Sequence, residues 1–285
     1  MNCYQRLKTI WILTLLLAGF LTAHAQDEVP HFFRLTYNNG LSDNKVNCIL
    51  KSHEGYIWAG TPQGLNRYDG FRIRVFYANP RAPHTLPDNN ILNLYEDAEG
   101  QLWVNTPAGH CRFNPKTEQV NRNTDQWLHQ HHVGGHLLMM DTDEKHNLWI
   151  LAVSPNKLYY YDFQRCHATA MKVSPRQLNN VTSIHAEEKG LCLVYNRGAM
   201  AWVDRNSGTI AWTDHYIPNH DATPNQHYHT ISDRQGNRWA WAENKAYCYQ
   251  RSIHAWRLIY DRPVNDVALD HGGHVLLATD HNGLV

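Results

Sequence analysis

The chain has no excess of charge: 26 Lys and Arg stand against 26 Asp and Glu in 285 residues. A chain so balanced has no electrostatic footprint for nucleic acid, which excludes that class of partner. It also lacks a long apolar run. The uncharged stretch Thr9 to Thr22 has 14 residues, short of the roughly 20 that cross a bilayer as a helix. Preceded by Arg6 and Lys8 and followed by Ala23-His24-Ala25, it reads as a secretory signal, residues 1–25, cut after Ala25. No cysteine stands at that cleavage point, so no lipid attachment is expected. Residues 26–285 then form one exported domain with 24 basic and 26 acidic side chains (26 − 2 = 24).

Cysteine is scarce as well. Of six, Cys3 lies in the leader, and an odd five with no regular spacing give no disulfide framework. Cys48, Cys111, Cys192 and Cys248 fall in expected strands, where a thiol behaves as a small buried hydrophobe. No cofactor motif is present. Histidine, by contrast, is abundant at 20. The densest group, His129 to His136, lies in a connection without the convergent spacing that a zinc site needs, so no metal is expected there. His227 and His229 would share one strand face, which alone makes no site.

What the chain does have is a repeat. Val46 to Asp69 and Ile91 to Asn114 carry the same punctuation, including Gly55, Trp58, Thr61-Pro62 and Gly64 in one copy and Gly100, Trp103, Thr106-Pro107 and Gly109 in the other. Weaker copies follow, with marker positions 55, 100, 146, 190, 236 and 273. The repeats lie near 41–80, 86–125, 133–170, 177–215, 223–260 and 261–285, the last incomplete. Each reads as four short antiparallel strands, and units of this size cannot bury an apolar face alone. The fold class is therefore all-β, a β-propeller of four-stranded blades, with no helix longer than about two turns expected in residues 40–285. Trp58, Trp103, Trp149 and Trp239 recur at one position, as packing between neighbouring blades requires. The four glycines in the first two copies are expected at positive φ in hairpins.

Three stretches carry a family resemblance: Gly40-Leu41-Ser42-Asp43-Asn44-Lys45-Val46, then Glu54-Gly55-Tyr56-Ile57-Trp58-Ala59-Gly60-Thr61, then Gly64-Leu65-Asn66-Arg67-Tyr68-Asp69-Gly70. They resemble the two-component regulator propeller repeat of the extracytoplasmic region of bacterial sensor histidine kinases, including hybrid ones common in Bacteroidetes. The resemblance implies a seven-bladed ring, of which about five and a half blades are present, with Phe33 to Tyr37 as an outer strand for a later blade. It also implies a periplasmic sensor, the amino-terminal part of a histidine kinase. Its parent would be a homodimer anchored in the inner membrane by a downstream span, and its ligand an oligosaccharide from polysaccharide breakdown. No phosphoacceptor helix, nucleotide-binding glycines or receiver aspartates are present, and the chain stops midway through a unit, so it reads as a fragment or truncated frame.

Blade topology sorts the loops. In a meander, the blade-entry loop and the second hairpin share one face, the entry face, and the first and third hairpins share the other. Asn44, Lys45, Gln63, Asn89, Asn90, Asn179, Asn180, Arg197, Asn244 and Lys245 fall on the entry face. These amides and cations suit hydrogen bonding to a neutral polyhydroxylated ligand, with aromatic rings as stacking faces. Glycan hydrolysis would need convergent carboxylates. Here Glu54, Asp97, Glu99, Asp143, Glu144, Glu187, Glu188 and Asp233 fall instead in first hairpins on the other face, at repeating positions that read as solvated turns. The chain is therefore not expected to be an enzyme. A free-standing propeller scaffold for protein contacts is the alternative, and a glycan-active propeller a weaker one.

Overall fold

A computed structural model describes residues 35–285 apart from 188, 214–216, 218–227, 234, 236, 243–244, 251, 254, 263, 270–274, 280–282 and 285. The leader, Phe33, Asn225 to His227, Asn244, the glycine markers at 236 and 273 and the loop 280–282 lie outside the described residues.

Among the described residues, five four-stranded antiparallel sheets and a sixth of three strands follow one another. Blade 1 is β1 (Cys48–Lys51), β2 (Ile57–Thr61), β3 (Gly64–Tyr68) and β4 (Ile73–Phe76). Blade 2 is β5 (Asn93–Glu96), β6 (Leu102–Thr106), β7 (Gly109–Asn114) and β8 (Gln119–Asn121). After a short helix α1 (Thr124–Gln130), blade 3 is β9 (His136–Thr142), β10 (Leu148–Val153), β11 (Lys157–Asp162) and β12 (His167–Ala170). Blade 4 is β13 (Val181–Glu187), β14 (Gly190–Tyr195), β15 (Met200–Asp204) and β16 (Ile210–Thr213). Blade 5 is β17 (His229–Ser232), β18 (Arg238–Ala242), β19 (Lys245–Gln250) and β20 (Ala255–Tyr260), and the sixth sheet is β21 (Val264–Leu269), β22 (Val275–Thr279) and β23 (Gly283–Leu284). Across the first five blades, the first strand of each lies against the first strand of the next. The blades thus stand side by side around an axis lined by first strands, the propeller that the repeat predicts.

Two elements depart from the strand reading. The seven residues of α1, just under two turns at 3.6 per turn, begin where Asn123 Oδ1 accepts from Gln126 N–H and bury Trp127 and Leu128. Tyr37, expected at the end of an outer strand, opens a 3-10 turn over Tyr37–Asn39.

Because successive residues of a strand face opposite sides, each sheet buries two faces, and the core is a series of slabs between blades. Trp58 and Leu65 of blade 1 meet Leu94, Leu102, Val104 and Phe113 of blade 2. Trp103 meets Leu148 and Ile150 across the next boundary, and Trp149 meets Ile184, Leu191 and Leu193 across the third. Trp58, Trp103 and Trp149 are thus core, as their spacing predicts, whereas Trp239 is half-buried against the sixth sheet. At the fourth boundary Cys192 takes its place, smaller and buried. The five cysteines of the described residues are free, as expected.

The motif glycines answer two different physical needs. Gly55, Gly64, Gly100 and Gly109 all have positive φ. Gly60 does not, yet a Cβ there would strike Cys48 and Ile91, where blade 2 presses on blade 1. The threonine of Thr-Pro-x-Gly closes the second hairpin: Thr61 Oγ1 donates to Gly64 O at 3.1 Å and Thr106 Oγ1 to Gly109 O at 2.8 Å.

The acids of the first hairpins are the principal correction. They are not all solvated turns: Asp97 is 1% exposed and Asp143 7%. Asp97 Oδ1 accepts from the N–H groups of Glu99 and Gln101, while Oδ2 accepts from Trp103 Nε1 at 2.8 Å and Arg112 Nη2 at 3.2 Å. Asp143 Oδ1 holds the N–H groups of Lys145 and Asn147, and its Oδ2 takes the Tyr160 hydroxyl at 2.7 Å. Asp233 repeats the turn with Gln235 and Asn237 and reaches Trp239 Nε1 at 3.4 Å. A buried carboxylate is stable only when its lone pairs are filled in this way. Breaking such a pair leaves an uncompensated charge, so Asp97→Ala should cost about 3 kcal/mol in urea unfolding, against well under 1 kcal/mol for the exposed Glu54→Ala.

Blade 1 carries Ser52 where blades 2, 3 and 5 carry this aspartate. Ser52 makes the same turn, its N–H donating to Tyr56 O at 2.9 Å, but the Trp58 indole N–H, six residues on, is buried without a partner. Ser52→Asp would supply an acceptor for Trp58 Nε1 beside Arg67. It should raise stability by about 1 kcal/mol, read as a higher thermal midpoint. A lower midpoint would mean that the serine site cannot house a carboxylate.

Candidate functional site

The meander of every blade places the β2–β3 type hairpins and the entry loops at one end and the acidic first hairpins at the other. That is the sorting used in the sequence reading, and the candidate residues can be placed on it one by one.

On the entry face, Asn44 is exposed, but its Oδ1 accepts from Tyr37 N–H at 2.7 Å. Lys45 is exposed, its N–H donating to Asp43 Oδ1 at 2.8 Å. Gln63 stands exposed at the hairpin tip, its backbone N–H held by Thr61 Oγ1. Asn89 Oδ1 accepts from Ala78 N–H at 2.7 Å and Asn90 Oδ1 from Asn47 Nδ2 at 3.1 Å. Asn47 Nδ2 also donates to Ile91 O. Asn89 and Asn90 thus order the long loop between blades 1 and 2, and Asn90 ties it to the start of β1. Asn179 Oδ1 accepts from Asn156 Nδ2 at 3.0 Å, bridging blade 3 to the entry loop of blade 4. Asn180 has φ +62° and is exposed, while the backbone of Arg197 lies in the 3-10 turn Asn196–Gly198. Lys245 Nζ lies 3.5 Å from Asp261. The face therefore holds two kinds of amide: those spent on ordering loops and those, such as Gln63 and Asn180, whose exposed side chains stand at loop tips.

His110, on the β6–β7 hairpin strand, is lowered to about 4 by burial and is neutral near pH 7. In the histidine group around α1, His129 and His132 are exposed, while His131 and His136 have partners within the chain. His131 stacks on Trp127 with centroids 3.9 Å apart and shares a hydrogen bond with Trp127 O, and His136 pairs with Asp125 at 2.7 Å. No group of three or more His, Cys, Asp or Glu side chains converges as a metal site among the described residues.

On the opposite face the carboxylates do not converge with one another. Several are committed to blade boundaries, where Glu96 accepts from His53 N–H at 2.9 Å and meets its Nδ1 at 2.6 Å and Glu187 accepts from Ser232 and Arg238, while Glu54, Glu99 and Glu144 are exposed. The spacing that reveals this role is visible in the chain, since an aspartate stands six residues before the tryptophan in blades 2, 3 and 5. What the spacing does not show is burial, which needs the neighbouring blade.

Comparison with known proteins places this geometry. The sequence profile of the two component regulator propeller family matches residues 40–63 and 85–108, the entry loops and second strands of blades 1 and 2. A histidine kinase, Histidine kinase P4 of Formosa agariphila, is 32% identical over 76 residues, 26% of this chain and 6% of that protein. Among solved structures, the extracellular domain of a proposed hybrid two component system from Bacteroides thetaiotaomicron superposes with a TM-score of 0.64 at 18% identity, over 88% of this chain and 34% of that one. The extracellular domain of a proposed one component system from the same organism gives 0.60 at 22% identity, over 84% and 31%. Virginiamycin B lyase from Staphylococcus aureus gives 0.58 at 17%, over 91% and 84%, so the same fold also carries an enzyme and does not by itself assign an activity. This chain spans about a third of the length of the two Bacteroides domains. Its first two blades match the two component regulator propeller, in a propeller whose fold is shared with extracellular domains of bacterial signalling systems.

Proposed function

We propose that this chain is the ligand-sensing propeller of a larger two-component sensor, displayed outside the cytoplasm, with the histidine kinase supplied by further parts of the parent. The observation that carries the reading is the family repeat in blades 1 and 2, supported by the likeness to extracellular domains of two component systems. The ligand we assign is a neutral oligosaccharide, held at the entry face. Exposed amides at rigid loop tips can exchange hydrogen bonds with hydroxyl groups, and the loop-ordering asparagines keep those tips in place, which lowers the ordering cost of binding. On the other face Asp97, Asp143 and Glu187 are tied up in internal pairs, which supports binding rather than glycan hydrolysis.

For a ligand to change kinase output it must favour one of two arrangements of the parent, taken here as a membrane-anchored homodimer, because equal affinity for both shifts nothing. A thermal-shift panel of oligosaccharides identifies the ligand: at a hundred times its dissociation constant, binding to the folded state alone adds about 2.7 kcal/mol. Calorimetric titration with that sugar then compares two sets of variants. Gln63→Ala, Asn180→Ala and Arg197→Ala should each weaken binding by ~1 to 3 kcal/mol, whereas the exposed Glu54→Gln and Glu99→Gln should leave it unchanged. Loss of binding in the second set alone would assign the ligand to the other face. A panel without a shift, beside a shift on adding a folded protein partner, would favour the scaffold reading.

A further inference from the structure

Blade 4 is held on its two sides by polar groups of opposite kind. Toward blade 3, Asp141 of β9 reaches across the boundary to accept from Ala186 N–H on β13 at 2.8 Å, and it also accepts from its neighbour Thr142 N–H. Among the described residues no cation faces it, and the titratable group that does is Tyr95 of β5. Toward blade 5, His185 of β13 has Nε2 3.2 Å from Ser183 Oγ, which donates to Tyr228 O at 2.6 Å. The His229 ring of β17 lies 6.5 Å from His185, and Arg238 of β18 also bears on it, itself paired with Glu187 at 2.9 Å. Asp141 and His185 occupy the same register position of their blades, opposite Trp149 and Cys192 respectively.

We propose that the first strand of blade 4 sits between two proton-linked contacts of opposite sign, so that acidification tightens the boundary toward blade 3 and loosens the boundary toward blade 5. Opening either boundary returns its group to water. Burial raises the Asp141 carboxyl from 3.8 to about 7, so the closed boundary binds a proton that the open one releases between those values. Its closure is favoured at low pH and weakens as pH rises through that window. Burial, with a smaller contribution from His229, lowers His185 from 6.5 to about 3. Its boundary closes without the proton that the open state takes up, so that closure is fully favoured above pH 6.5 and weakens as pH falls. Between pH 4 and 6.5 both groups act, and their proton counts oppose. The consequence is a redistribution of stability across one blade with little net change from this pair, a device suited to a protein facing a changing exterior.

The test uses the full chain in hydrogen exchange between pH 4 and 6.5, corrected for intrinsic rates. Protection of β9 and the start of β10 should rise on acidification while protection of β17 and β18 falls. Global unfolding supplies a second measure, taken relative to wild type so that His110 and other shifted groups cancel. Asp141→Asn, which keeps an acceptor for Ala186, should turn the slope of the unfolding constant by up to tenfold per pH unit in the direction of greater stability at higher pH. His185→Gln should turn it by a similar factor the other way. Parallel changes in protection on the two sides, or variant slopes of the same sign, would overturn the proposal. The wild-type exchange experiment decides it even if a variant does not fold.

Discussion

The structure depends on the carboxylates that fasten the first hairpins of blades 2, 3 and 5 to an aromatic side chain of the same blade. In a propeller no blade can bury both faces alone, so every boundary must combine an apolar slab with a polar seam that fixes register. Asp97 shows how this is done. One oxygen closes the turn by taking two backbone N–H groups, and the other crosses to the indole of Trp103 and the guanidinium of Arg112. Turn geometry and slab packing thereby become a single condition. The arginine adds a further contact by lying over Trp103 and Trp127 at 5.2 and 5.1 Å from their ring centroids, where a partly desolvated cation–π contact contributes about 1 kcal/mol.

The same chemistry recurs at other boundaries with different residues. Between blades 3 and 4, Arg205 of blade 4 lies over Tyr160 and approaches Asp143, both of blade 3. Between blades 4 and 5, Arg238 lies over Trp202 and pairs with Glu187. Between blades 1 and 2, Arg67 lies over Tyr56 and Trp58 and pairs with Glu118 of the neighbour. An arginine, an aromatic ring and a carboxylate thus meet at four successive seams, although the chain position that supplies each differs. Retention of the triple through drift of the repeat points to a physical requirement: the slab's polar end must be sealed by groups that satisfy one another, because an unpaired charge there would be buried.

This division of labour bears on function. The face that carries the acids is committed to cohesion, while the face that carries the amides has both loop-ordering and exposed side chains. Propellers accept such specialisation because loops at the two ends are independent of the slab packing between them. Blade 4 complicates the picture, since its boundaries near the axis rest on ionisable groups, Asp141 and His185, rather than on apolar contacts alone.

The repeat fixed a good deal before any coordinate was needed. The spacing of glycine, tryptophan and Thr-Pro-x-Gly implied four-stranded blades, and the alternation of strand faces made Trp58, Trp103 and Trp149 core, because a period of two on a strand leaves them no other side. The sorting of loops to two ends followed from antiparallel pairing alone. Tertiary structure decided what each polar side chain does once sorted. Asp97 and Asp143 look like turn residues in the chain, and they are, but the neighbouring strand buries them and gives them an indole, a phenol or a guanidinium to hold. Asn89 and Asn179 look like free ligand groups, and their amides instead bridge loops whose proximity no local pattern records. The helix at Thr124–Gln130 was hidden for a similar reason: seven residues carry too short a period to read, and what stabilises them is Trp127 and Leu128 packing beneath a blade that begins later in the chain.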